Sequence, residues 1–242
     1  MNRIDNLIND LKKTFNERLI SIILYGSCVS GDCEDDFADI NTIVVIENLK
    51  ALDLKNSCSA VKSFFTNWMW GIFPYQKHPA PIFMDKDEWF NSCDIYPIEY
   101  SDIKARYKIL YGEDIVELLK LDKKDLRLQC EYEIKNLLIK LRQNYLIKSC
   151  DKRDIENLFK ISSKSFFAVF RAILRITEEN VPFENSKVVD LLSQKVKIDK
   201  DIFLKIIDLR KNPKAIDKKE YEAVVQKMID SANEVFKYVD KL

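Results

Sequence analysis

The sequence predicts an α/β (α+β) head with a small mixed sheet, followed by an all-α helical bundle. Two observations carry this prediction. Apolar runs of strand length alternate with helical patterns up to about residue 122, and from residue 126 onward only helical periodicity occurs. We therefore expect two domains, residues 1–122 and residues 123–242. With four Gly and six Pro in the chain, no flexible-linker architecture is expected.

The head begins with a helix and continues with short strands. Apolar residues at helical spacing predict an opening helix that ends near Glu17, and a second helix is expected over residues 51–70. Weak alternation around Pro97 predicts an edge strand, because proline is tolerated in sheets mainly at their edges. The predicted strands are residues 19–25, 40–46, 82–84 and 95–103.

The second half carries helical patterns only. Residues 126–145 place Leu and Ile on one stripe with charged residues opposite, which is typical of a helix packed on one face. Asp199 and Asp217 precede two of the later patterns and are expected to cap those helices at their N-termini. The predicted helices are residues 126–145, 155–176, 188–194, 201–210 and 218–239.

Composition restricts the classes of partner. The chain is 32% charged with a formal net charge of +0, so no global field attracts nucleic acid or an anionic membrane. No stretch reaches the roughly 18 apolar residues of a membrane span, and the N-terminal residues have no apolar core of a signal peptide. The six Cys lack a CxxC pair, so most are expected to be buried free thiols in a reducing, cytoplasmic setting.

The segment around Gly26 is the one with a chemical signature. An apolar strand runs into Gly26-Ser27, Gly31 follows, and Asp39-Ile-Asn41 opens the next strand. Glycine lets backbone N–H groups come close to an anion, since it has no side chain and tolerates a positive φ. A carboxylate on the neighbouring strand can hold a divalent metal against that anion. The pattern therefore indicates a site for a metal–nucleoside triphosphate.

This pattern resembles the DNA polymerase beta-like nucleotidyltransferase superfamily over residues 19–45. The order of an α/β head and then helices is similar to antibiotic nucleotidyltransferases of the aminoglycoside adenylyltransferase type. Segments 85–103 and 109–114 also look like uncharacterised bacterial proteins of that group. A glycine-serine pair alone would be weak evidence for this resemblance. Together with the spaced acid and two flanking apolar strands, the pair is a more specific signal.

The resemblance implies roles for four of these residues. Gly26 and Ser27 would hold the β- and γ-phosphates of the nucleotide, Asp39 would ligate Mg²⁺, and Asn41 would stand beside it at the metal. The implied chemistry is in-line attack on the α-phosphate with release of pyrophosphate, a reaction that depends mostly on positioning and charge stabilisation.

Two departures from the family pattern concern the acidic residues. The superfamily usually has Asp at the position of Asn41, and an amide contributes an oxygen but no charge, so a weakened Mg²⁺ site is expected. The superfamily also has a third carboxylate on a later strand, and the matching strand here has none. Asp85 and Glu99 are equal candidates to replace it as the catalytic base or metal ligand.

Two functions remain open from the sequence. The first is an enzyme that transfers a nucleoside monophosphate, AMP in the first instance, from a nucleoside triphosphate to a small hydroxylated or amine-bearing acceptor. The second is a catalytically impaired protein of the same fold that binds nucleotide or a partner protein.

Overall fold

The computed structural model describes residues 3–30, 40–69, 73–76, 79–148, 152–178, 180–209, 212 and 215–242. The chain divides into two compact units, Met1–Leu121 and Asp122–Leu242. The first contains the strands and the second contains helices, so the described residues have the predicted α/β head and helical part.

A four-stranded mixed sheet forms the centre of the first unit. Its strand order is β5-β2-β1-β6, in which β2 and β5 are parallel and the other pairs are antiparallel. Strands β3 and β4 form a separate antiparallel pair. The strands are β1 Leu19–Tyr25, β2 Asn41–Ile46, β3 Thr66–Met69, β4 Phe73–Gln76, β5 Ile82–Asp85 and β6 Tyr107–Gly112.

Both faces of this sheet are covered, because side chains alternate between faces along each strand. Ile22 and Val44 belong to one hydrophobic cluster, which includes residues of the first two helices. Ile23 and Val45 belong to a second cluster on the other face, which includes residues of the next two helices. The central strands are therefore almost wholly apolar, which explains their recognition from the sequence.

Four helices cover the sheet, and two differ from the sequence prediction. The segment predicted as an edge strand, residues 95–103, is helical from Pro97 onward, and Pro97 stands at the first helical position. Proline suits that position because its fixed φ is helical and its missing N–H would have no partner there. The second helix ends at Phe65 rather than residue 70, and β3 follows directly. The helices are α1 Arg3–Phe15, α2 Ala51–Phe65, α3 Lys86–Asn91 and α4 Pro97–Ala105.

The second unit packs its helices around aromatic side chains. Phe203 is fully buried and meets Phe166, Phe167 and Phe170 with ring centroids 5.3, 6.3 and 5.1 Å away. Asp199 and Asp217 cap helical segments as predicted, each accepting a backbone N–H bond. The helices are α5 Lys123–Lys148, α6 Lys152–Thr177, α7 Asn185–Ser193, α8 Lys200–Asp208 and α9 Tyr221–Val239.

The cysteines only partly follow the expectation of buried free thiols. Cys58, Cys93 and Cys130 are free, but only Cys130 is buried, and Cys28 is disulfide-bonded. Burial raises the pKa of the Cys130 thiol to about 12, which keeps it protonated and unreactive. In the part of the chain that the structure describes, no helix has the length and apolar character needed to cross a membrane.

Candidate active site

The glycine turn lies at the C-terminal end of β1, as the sequence predicts. Gly26 follows Tyr25 directly and has a φ of +81°, a backbone conformation that residues with a side chain rarely adopt. A 3₁₀ turn, Ser27–Ser30, comes next, and the Val29 N–H donates to the Gly26 carbonyl at 3.2 Å. The chain thus leaves the sheet sharply, and Ser27 is exposed at the point of departure.

Asn41 lies against this turn. It is the first residue of β2 and is paired with Tyr25, the last residue of β1. A Cβ atom added to Gly26 would lie 3.3 Å from the Asn41 Nδ2 atom. The absence of a side chain at Gly26 is therefore what lets the amide approach the turn so closely. A larger residue at position 26 would push this amide away.

Asn41 lies on the face of the sheet that α3 and α4 cover. Asn41 is two residues before Ile43, which belongs to the cluster that also contains residues of α3 and α4. Ile40 packs against the cluster on the other face. Asn41 and Ile40 therefore lie on opposite faces of the sheet, as the alternation of side chains along a strand predicts, and Asp39 lies outside the described residues.

Arg106 also lies at the turn, and no sequence pattern points to it. Its carbonyl oxygen accepts the Gly26 N–H at 3.2 Å, and its guanidinium Nη2 donates to the Ser27 carbonyl at 3.0 Å. Both contacts follow from the pairing of Tyr25 with Tyr107, because Arg106 directly precedes the first residue of β6. A prediction that residues 107–112 form the partner strand of β1 would have pointed to Arg106.

Glu99 lies on the same side of the sheet as Asn41, on the first turn of α4 rather than on a strand. Its carboxylate is exposed and helps to raise the pKa of the Tyr25 hydroxyl, although burial of Tyr25 is the larger cause. The Glu99 carboxylate therefore interacts electrostatically with the last residue of β1, which directly precedes the turn.

Asp85 lies at the other end of the sheet, which removes it from this site. It is paired with Ile46, the last residue of β2, whereas Asn41 is the first. A strand rises about 3.3 Å per residue, so these two ends are about 16 Å apart. Asp85 caps α3 instead, accepting from the Asp87 and Leu49 N–H groups at 2.9 Å each. These N–H donors hold the pKa of the Asp85 carboxyl below its usual range.

The described residues include only some of the predicted metal ligands. No three His, Cys, Asp or Glu side chains come together there as a possible ion site. Asn41 contributes one amide group at the turn, and Asp39 and Gly31 lie outside the described residues. The donors that the structure describes therefore do not make a metal site without Asp39, whose contribution stays a prediction.

A separate pocket of about 470 Å³ lies at the opposite end of β1 and β6. Its lining includes Lys12, Glu17 and Glu113, and the Lys12 ammonium stands 4.7 Å from the centre of the Tyr111 ring. The mixed charge of this lining gives no preference for a polyphosphate, and the pocket is not part of the turn described above.

Comparisons with known proteins bear on the fold. No protein-family model and no curated protein sequence matches the chain. The structure is similar to the crystal structure of spectinomycin adenyltransferase AAD(9) from Enterococcus faecialis, solved with ATP and spectinomycin. The TM-score is 0.60 at 15% sequence identity, and the match covers 97% of this chain and 98% of that chain. At this identity the likeness concerns the fold and assigns no residue a role. The chain therefore has a nucleotidyltransferase-like fold.

Proposed function

We propose that this protein is a nucleotidyltransferase that moves a nucleoside monophosphate, AMP in the first instance, from a nucleoside triphosphate to a small acceptor. The observation that carries the proposal is the turn at the end of β1. There an exposed serine, a close-packed amide and a guanidinium meet around a glycine with positive φ. This supports the anion-binding role that the sequence pattern predicts, and the adenyltransferase-like fold is consistent with it.

Binding of the triphosphate is assigned to the turn. Gly26 and Ser27 would hold its β- and γ-phosphates, and Asp39 and Asn41 would hold Mg²⁺. When bound, the ion supplies positive charge against the phosphate oxygens. Because Asn41 is neutral, the site has one negative charge fewer than a pair of carboxylates would give, so we expect weak binding of the metal.

Glu99 is the carboxylate to which we assign the proton transfer. An acceptor hydroxyl attacks the α-phosphorus, the bond from that phosphorus to the bridging oxygen of the β-phosphate breaks, and pyrophosphate leaves. The proton of the hydroxyl passes to the Glu99 carboxylate. Glu99 is suited to this role because it is exposed on α4. Helix α4 covers the face of the sheet on which Asn41 lies. Asp85, the other candidate from the sequence, is engaged in the cap of α3.

The acceptor is proposed to be a small hydroxylated or amine-bearing molecule. The structural neighbour was solved with spectinomycin, and that compound is therefore a reasonable first acceptor to assay for this chain. Aminocyclitols and aminoglycosides form the natural panel around it, because they combine several hydroxyl groups with amines.

A labelling experiment tests the proposal directly. The protein is incubated with Mg²⁺ and ATP labelled at the α-phosphate, with and without each acceptor, while calorimetry measures ATP binding. We expect ATP to bind and label to move onto an acceptor with release of pyrophosphate. Glu99→Gln should retain ATP binding and lose transfer by about 10²-fold or more, the usual contribution of a general base.

The matched control is Glu113→Gln, which removes an exposed carboxylate at the other end of the sheet and should leave transfer unchanged. ATP binding without transfer to any acceptor would favour the alternative function, a nucleotide-binding module. Failure of ATP to bind at all would contradict both the transferase and the nucleotide-binding module, and would favour the other form of the alternative, a module that binds a partner protein.

A further inference from the structure

Arg106 contacts both residues of the glycine-serine turn. Its backbone carbonyl accepts the Gly26 N–H on one side of the glycine, and its guanidinium reaches the Ser27 carbonyl on the other. The backbone contact is ordinary strand pairing and would exist for any residue. The side-chain contact is specific, because it brings a permanent positive charge to the residue that the proposed function assigns to the phosphates.

The base of this side chain is held in place by α4. The Arg106 N–H donates to the Ile103 carbonyl at 3.0 Å, which closes the last turn of that helix. The Lys104 ammonium donates to the Leu119 carbonyl at 2.6 Å and to the Glu117 carbonyl at 3.2 Å. The main chain of Arg106 is therefore already ordered before a ligand binds, so little of its conformational freedom is lost on binding.

The neutral side chain of Asn41 makes this charge important. A polyphosphate needs compensating positive charge, and a metal held by one carboxylate and one amide is bound more weakly than one held by two carboxylates. A guanidinium at the turn supplies charge that does not depend on any metal, and it can donate to phosphate oxygens with strong charge-assisted hydrogen bonds.

We infer that Arg106 is a nucleotide-binding residue whose guanidinium compensates the polyphosphate charge at the Gly26–Ser27 turn, so that binding of ATP persists without Mg²⁺. This inference rests on the proposed function, since it needs a polyphosphate at that turn. It adds a residue to the site and predicts a metal-independent component of binding.

The test is calorimetry with adenosine, AMP, ADP and ATP, each with Mg²⁺ and with EDTA. The wild-type protein should bind ATP in EDTA. Arg106→Gln should weaken ATP binding about 10-fold with Mg²⁺ and more in EDTA, since a charged hydrogen bond of this strength is worth roughly a factor of ten. Adenosine binding should be unchanged, and the loss should grow with the number of phosphates. Arg106→Lys, which keeps the charge, should recover most of the ATP affinity.

Lys108→Gln is the matched control, because it removes an exposed cation from β6, two residues after Arg106. It should bind ATP as the wild type does. A merely structural role for Arg106 would lower the affinity for adenosine and ATP equally, or lower neither, and either result would overturn the inference.

The remaining outcomes separate the inference from the function on which it rests. If the wild type binds ATP only with Mg²⁺, the inference fails and the proposed function stands. If the wild type binds no nucleotide, both fail. Should Arg106→Gln not fold, binding of inorganic tripolyphosphate to the wild type in EDTA decides: binding supports the inference and its absence overturns it.

Discussion

Gly26 is the residue at which backbone conformation and the candidate site depend on each other. Its φ of +81° takes the chain out of the sheet, and its missing side chain leaves room for the Asn41 amide. Gly112 also has a positive φ, of +83°, but a Cβ there would lie 1.9 Å from the Ile20 carbonyl oxygen. Glycine at position 26 therefore leaves room for the candidate site, whereas glycine at position 112 avoids overlap with the backbone inside the sheet.

Alanine substitutions at these two positions should separate binding from stability. We expect Gly26→Ala to cost about 1–2 kcal/mol of unfolding free energy from backbone strain, and to abolish measurable ATP binding because the Asn41 amide and the turn are displaced. Gly112→Ala should cost about 3 kcal/mol or more, because the new methyl group overlaps a backbone carbonyl and the structure must shift. Denaturant unfolding and calorimetry measure both effects. Normal ATP binding by a folded Gly26→Ala protein would contradict the placement of the site.

Asn41→Asp tests the charge of the proposed metal site. The new carboxylate should tighten Mg²⁺-dependent ATP binding by a net gain of about 1–2 kcal/mol, as the attraction to the ion exceeds the desolvation of the new charge. In EDTA the same substitution should weaken ATP binding, since a negative charge is added beside the phosphates. Without ligand the fold should be less stable, because the carboxylates of positions 39 and 41 repel. Calorimetry and thermal unfolding measure these changes. Unchanged binding under both conditions would show that position 41 does not face the nucleotide.

At the scale of elements, hydrogen bonds join α4 to α3, and α3 to the segment that follows β6, and no sequence pattern predicts them. The Tyr100 hydroxyl donates to the Trp89 carbonyl at 2.9 Å, and the Trp89 indole donates to the Ile115 carbonyl at 3.4 Å. Their rings are in contact, with centroids 4.8 Å apart and planes inclined by 33°. Burial raises the pKa of Tyr100 above its ordinary value, so its hydroxyl remains a donor at all physiological pH values. These contacts fix the helix that presents Glu99.

Asp85→Ala is the prediction that belongs to this scale. The loss of the α3 cap and of the bond from Leu49 should cost about 1–2 kcal/mol at neutral pH and leave ATP binding unchanged. The folded-state pKa of Asp85 is lowered, so its stabilisation is present above the unfolded-state pKa near 4 and is lost as the pH falls through the folded-state value. The difference between variant and wild type should therefore shrink below about pH 4. Denaturant unfolding at several pH values measures it, and a pH-independent difference would exclude the carboxylate as its cause.

At the scale of the whole molecule, each of the two compact units has buried hydrophobic side chains of its own. The first unit contains all three tryptophans, at positions 68, 70 and 89. The second contains the cluster of phenylalanines around Phe203. Tryptophan fluorescence therefore reports on the first unit, and helical circular dichroism reports more strongly on the second.

Phe203→Ala should destabilise the second unit by about 3–5 kcal/mol, since it leaves a cavity among rings that cannot collapse fully. The thermal transition followed by circular dichroism should shift further than the one followed by tryptophan fluorescence. Phe15→Ala, in the core of the first unit, is the matched control and should shift the fluorescence transition more. Equal shifts of both signals in both variants would show that the two units unfold as one cooperative body.

The sequence alone determined the features that depend on neighbouring residues. Uninterrupted apolar runs specified β1 and β2, the glycine-serine pair specified the turn between them, and helical periodicity specified the second half. The tertiary structure decided what depends on residues far apart in the chain. The edge of the sheet is formed by residues 107–112 and not 95–103, so Arg106 meets Ser27 across a gap of 79 residues. Asp85 and Glu99 were equivalent in the sequence, but strand register places Asp85 at the far end of β2, whereas Glu99 stands on α4 and interacts electrostatically with Tyr25. Register is set by packing across the whole sheet, and no local pattern of residue types records it.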